Sequence, residues 1–132
     1  MMVVTPLYAA LLGLIFMGLS IRTIRLRRRY RVGVGDGNHT ELQRAARVHA
    51  NFAEYVPLTL LLVYFVETTS ESASLTHILC ATLLCGRLLH AYGVSQVREN
   101  YRYRTIGMVL TFSVIIVACL FLLYTRLIWL VV

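Results

Sequence analysis

The 132-residue chain contains no lysine; all 13 of its basic residues are arginine. Its one glycine-rich stretch, Gly33-Val34-Gly35-Asp36-Gly37-Asn38, is therefore not followed by the Gly-Lys-Ser/Thr that closes a phosphate-binding loop. No strand pattern precedes it either, so the stretch reads as a flexible turn. Cysteine is also scarce. Cys80, Cys85 and Cys119 are odd in number, lie in apolar segments and match no zinc or CxxC spacing, which leaves them as small buried hydrophobes. Charge is missing from the whole of the first apolar segment, and no basic flank precedes it. A signal peptide is thereby disfavoured, and Val3 to Ile21 is expected to be an uncleaved span. There is no internal repeat and no low-complexity tail.

What the chain has in abundance is apolar surface: 58% of its residues are hydrophobic. A soluble domain of this size has too little interior to hide so much, so one integral membrane domain over residues 1–132 is expected. Four spans are predicted, at about residues 3–21, 42–66, 75–92 and 106–123. Tyr124 and Trp129 after the last suit an interfacial aromatic belt. Thr40 and Gln43 have the spacing of a capping box at the head of the second span, and Glu41 adds a favourable charge to its first turn. The net charge of +7 would suggest nucleic acid in a soluble protein, but here it reads as topology, and no nucleic-acid partner is expected. Arg22, Arg25, Arg27, Arg28, Arg29 and Arg31 crowd the first connection, and Arg98, Arg102 and Arg104 the third. The second connection holds Glu67 and Glu71 and no basic residue. The positive-inside rule then places connections one and three in the cytoplasm and both termini outside, in an all-α, up-down-up-down four-helix membrane bundle.

The second span carries the polar residues that need explaining. Its apolar half, Leu58 to Val66, is too short to cross a bilayer, which takes about 20 residues. The polar half must therefore also lie in or near the membrane, where ionisable groups are costly and mark functional sites by default. On a helix, Arg47, Asn51, Glu54 and Leu58 fall at i, i+4, i+7 and i+11 and share one face, flanked by Arg44 and Tyr55. His49 points the other way. Two readings are open. In one, these side chains neutralise charges and bridge neighbouring helices. In the other they line a wet pocket for a small zwitterion. Arginine would then take a carboxylate through paired N–H bonds, asparagine peptide-like groups, and glutamate an ammonium. Pro57 cannot bond the carbonyl of Ala53, which favours a kink.

Arg87 and His90, at i and i+3, share a face at the cytoplasmic end of the third span. They suit either snorkelling and interfacial roles or a second polar wall. His77 sits toward the other end. A haem pair drawn from His49, His77 and His90 is disfavoured by their positions, and no metal is expected. In the third connection Arg and Tyr alternate, as in an interfacial anchor. Arg104-Thr105 stands at the head of the fourth helix, where a cation and free N–H groups favour an anion, including a thiolate.

The run Arg47-x-x-x-Asn51-x-x-Glu54-Tyr55-x-Pro57, with Arg87-x-x-His90, an arginine at the head of the fourth span and four spans in about 130 residues, resembles the MAPEG family (membrane-associated proteins in eicosanoid and glutathione metabolism), in particular its small bacterial members. The resemblance implies a homotrimer in a bacterial inner membrane, with glutathione as co-substrate in a pocket between subunits. Arg47, Asn51, Glu54 and Tyr55 would hold the tripeptide, and Arg87 and His90 would line the same pocket. Arg104, with Arg102 as the alternative, would be the catalytic arginine. The implied activity is glutathione transfer, or peroxidase chemistry, on a lipophilic small-molecule electrophile arriving from the membrane lipids. Two other classes of protein fit the size. A small four-span cation or drug exporter carries its buried carboxylate in the first span, which is uncharged here. A non-catalytic scaffold binding glutathione or lipid would keep the pocket without turnover.

Overall fold

The computed structural model describes residues 4–70, 72–96 and 100–131, the side chains of Trp129 and Val131 excepted. Val3, Glu71, Arg98 and the belt residue Trp129 of the sequence reading thus fall outside what can be placed. The described residues form four α-helices and no strand: α1 Thr5–Tyr30, α2 Thr40–Thr69, α3 Ala73–Ser95 and α4 Tyr101–Val131. Each contains a stretch long and apolar enough to cross a membrane. At 1.5 Å per residue the 26-residue α1 is about 39 Å long, more than the roughly 30 Å of a hydrocarbon core. The excess explains one difference from expectation. Arg22, Arg25 and Arg27 to Arg29 ride on the last turns of α1 rather than in a loop, and only Arg31 follows it.

Helix α1 ends with Arg31 in the left-handed region (φ 54°), and the N–H of Val32 bonds back to the carbonyl of Arg27 at 3.0 Å. The glycine-rich turn that follows is tied down rather than loose. Arg27 donates to the carbonyls of Gly33 and Gly35 at 3.2 and 2.9 Å, and Tyr30 stacks on His39 with ring centroids 3.9 Å apart. Carbonyl oxygens turned toward a guanidinium are the reverse of an anion cradle. The expected capping box does not form, because Thr40 is already helical. The extended residue before the helix is His39, whose carbonyl accepts from the N–H of Gln43 at 3.0 Å.

Helices α2 and α3 each pack on all three others, whereas α1 and α4 do not pack on each other among the described residues. Helix α2 stays helical through Pro57. Its buried face (Phe52, Val56, Val63 and Val66) meets Leu12 of α1, Leu79, Cys80 and Leu83 of α3, and Val114 and Ala118 of α4. Lipid is as apolar as these side chains, so close packing rather than water exclusion holds the seam. Thr59 and Thr111, both fully buried, return their hydroxyls to carbonyls four residues back at 2.7 and 2.9 Å. They therefore need no partner across the seam. Leu7, Leu14, Ile78, Ile116 and Leu120 face outward, as a lipid-facing surface requires.

Glu67 closes the end opposite the arginines. It is not a loop residue; it lies in the last turn of α2, buried at 6% exposure. Helix α1 has no side-chain cap of its own. The Glu67 carboxylate supplies one, accepting from the backbone N–H of Val4 and, at 3.1 Å, from that of Thr5. An anion at the positive end of a helix, bonded to N–H groups with no helical partner, is favourable on both counts.

Candidate ligand-binding site

At the arginine-rich end the helices leave a cavity of about 370 Å³, within the range of roughly 300–1,000 Å³ typical of small-molecule sites. Thr40, Gln43, Arg44, Arg47, Ala50, Asn51 and Glu54 line it from α2, His90 and Val94 from α3, and Arg104 from α4. The i, i+4, i+7 stripe of α2 thus forms one wall. Five residues singled out from the sequence (Arg47, Asn51, Glu54, His90 and Arg104) come together from three helices.

Two glycines bring the α3 and α4 contributions together. A Cβ on Gly107 would lie 2.6 Å from the carbonyl oxygen of Gly86 and 2.7 Å from the backbone nitrogen of His90. One on Gly93 would lie 2.8 Å from the nitrogen of Arg104. Real Cβ atoms do not approach so closely, so the head of α4 lies against the end of α3 only because both positions lack side chains. Small residues at a helix crossing allow this approach. His90 and Arg104 owe their common cavity to it.

Arg87 stands behind the wall rather than in it. It is fully buried, at 0% exposure. Its guanidinium donates to Asn51 Oδ1 at 2.7 Å, approaches His90 Nδ1 at 3.3 Å and Thr111 Oγ1 at 3.5 Å, and lies 5.5 Å from the ring centre of Phe52. It does not snorkel to the interface. Asn51 and His90, one on each wall, are thereby tied to one buried cation.

The remaining sequence candidates lie elsewhere. Tyr55, half-buried, is outside the cavity wall and meets Phe112 of α4 edge-on at 5.4 Å. Arg102 is exposed and does not line the cavity. His49 faces α1, with Nε2 3.0 Å from Ser20 Oγ and its ring stacked on Phe16, and His77 lies beside Tyr8 at the opposite end. The three histidines of the haem question are thus dispersed. Among the described residues no group of three or more His, Cys, Asp or Glu could hold a metal ion.

Sequence reasoning named Arg44 only as a flank and Thr40 and Gln43 only as a cap, and it missed Val94. Arg44 donates to the carbonyl of Val94 at 3.2 Å, which fastens the cavity mouth of α2 to the end of α3. Its spacing of three before Arg47 was the available signal. No local pattern pointed to Val94. Chemically, the cavity combines three arginines (44, 47 and 104), one carboxylate at Glu54, two amides (Gln43 and Asn51) and an imidazole. That set complements a flexible zwitterion with more than one negative group.

Comparison with known proteins agrees with this architecture. The model of the MAPEG family matches residues 5–124. The chain is 39% identical over 117 residues to "Inner membrane protein YecN" of Escherichia coli strain K12, covering 89% of this chain and 88% of that protein. The protein of the same name from the O6:H1 strain CFT073 matches to the same extent. No solved structure gives a significant match. A four-helix membrane protein matched by the family model over nearly its whole length, the chain belongs to the MAPEG family.

Proposed function

We propose that the protein binds glutathione in the cavity at the arginine-rich end and transfers it to lipophilic electrophiles. The carrying observation is the convergence of Arg47, Asn51, Glu54, His90 and Arg104 on one cavity. Glutathione has two carboxylates, one ammonium, two peptide groups and a thiol. Arginines 44 and 47 suit the carboxylates, Glu54 the ammonium, and Asn51 and His90 the peptide groups and their surroundings. Arg104 then suits the sulfur.

A free thiol has a pKa near 8.5 and is mostly protonated at neutral pH. A guanidinium close to the sulfur favours the thiolate, as does the positive dipole end of α4, where Arg104 is the fourth residue. A fall of about two units makes most of the thiol reactive at neutral pH. Arginine cannot accept the proton, which leaves to solvent, so its contribution is electrostatic. The thiolate then attacks an electrophilic carbon, forming the C–S bond. The leaving group departs, or an epoxide oxygen takes a proton from water. With a hydroperoxide the thiolate attacks the terminal oxygen, the O–O bond breaks to release an alcohol and leave the sulfenic acid, and a second glutathione thiol displaces that oxygen as water to give the disulfide.

The same reading favours a homotrimer. Arg47 and Glu54 are exposed in the single subunit although they lie on a membrane-spanning helix. Charges facing lipid cost about 2.5–3.5 kcal/mol each at the membrane centre, so a neighbouring subunit closing the open side relieves that cost. The arginine-rich end would face the cytoplasm, with both termini outside, in a bacterial inner membrane as the name of the Escherichia coli relative states for that protein. Isothermal calorimetry of purified protein with glutathione tests the reading. Saturable binding is expected, and its loss in Arg47→Ala. Absence of binding to the wild type would overturn it, and binding without turnover over a broad electrophile panel would leave a non-catalytic module.

A further inference from the structure

Arg87 is a buried cation that no described carboxylate meets, and it reaches no surface. A guanidinium has only donors. The atom of Asn51 that faces it at 2.7 Å must therefore be the carbonyl oxygen, which leaves the NH₂ of that side chain away from Arg87. Asn51 is half-buried and lines the cavity, so its two remaining donors are what it can offer a ligand. The same logic applies to His90. Nδ1 lies 3.3 Å from the guanidinium and can only accept there, so the neutral ring carries its proton on Nε2. A doubly protonated ring would turn N–H against N–H and place two cations side by side.

We propose that Arg87 is a positioning residue that makes this part of the cavity wall donate. It fixes the Asn51 amide and the His90 tautomer, and so selects a ligand group rich in acceptors, a carboxylate or a peptide carbonyl, at that point. Glu54, one turn farther along α2, is left as the place for a cation. The orientation of a zwitterionic peptide in the cavity follows from that polarity. The proposal deepens the glutathione reading and rests on it for the ligand, but the amide and tautomer assignments stand without any ligand.

The test has two arms on the purified full-length protein. In the first, ¹⁵N-histidine NMR reads the His90 tautomer, assigned by its loss in His90→Gln. Nδ1 unprotonated and Nε2 protonated is expected in the wild type, with a mixture of tautomers in Arg87→Gln. A wild-type His90 protonated on Nδ1 overturns the proposal. The second arm is a double-mutant cycle in glutathione affinity. Arg87→Gln and Asn51→Ala are each expected to weaken binding about tenfold. The double variant should fall clearly short of the additive loss, because Arg87 acts in part through Asn51. Additive losses of about a hundredfold overturn it. Arg87→Lys, which keeps the charge but not the two-armed fork, serves where Arg87→Gln does not fold, and is expected to recover only part of the affinity and of the tautomer bias. If the wild type binds no glutathione, the functional reading fails and the NMR arm alone decides the positioning role.

Discussion

Helix α2 carries one glutamate at its middle, Glu54, and one in its last turn, Glu67, and the two have opposite surroundings. Glu67 is buried and its two oxygens accept backbone N–H groups at the start of α1. Glu54 is exposed and borders a cavity lined by arginines. A carboxylate at membrane depth is costly unless something meets it. For Glu67 that partner is built into the chain. For Glu54 the surroundings leave room for a partner to arrive. On the proposed reading, the difference separates a structural from a ligand-binding acid on one helix, where residue type and hydropathy alone do not.

The comparison can be broken at either end. Glu67→Ala leaves the N–H groups of Val4 and Thr5 without their acceptor. A charge-assisted bond contributes about 1.5–3 kcal/mol, so a loss of roughly 3 kcal/mol or more is expected for the pair. Thermal unfolding in detergent reads it, with glutathione affinity of the folded fraction unchanged. A smaller effect is expected from Glu54→Gln: about tenfold weaker glutathione binding by calorimetry, with the unfolding temperature unmoved. If Glu54→Gln destabilises the protein as Glu67→Ala does, both acids are structural and the distinction fails.

Much of the bundle was legible because hydropathy and arginine placement are local signals. The uncharged run after Val3 and the apolar run after Pro57 mark spans without tertiary information. The α2 stripe was legible for the same reason, since spacings of four and three define a helix face. Three features were not. The α1 arginines look like a loop, yet the helix continues through them, because arginine is a good helix former. The role of Glu67 depends on residues 62 and 63 positions away. Arg87 has a neighbour of cavity residues, His90, in its own sequence, which suggested a wall position. Only the packing of α3 against α2 and α4 shows that it stands behind the wall. Gly93 and Gly107, which let α4 approach, are ordinary glycines until the helix they touch is known.

On the proposed reading, Arg104 and the head of α4 hold the sulfur of bound glutathione as a thiolate. Stopped-flow ultraviolet absorbance near the thiolate band, on mixing the wild type with glutathione at neutral pH, tests it most directly. A rapid absorbance rise that saturates with glutathione is expected, and its loss in Arg104→Ala while calorimetry still detects binding. Binding without any thiolate signal in the wild type, or an undiminished signal in Arg104→Ala, would contradict it.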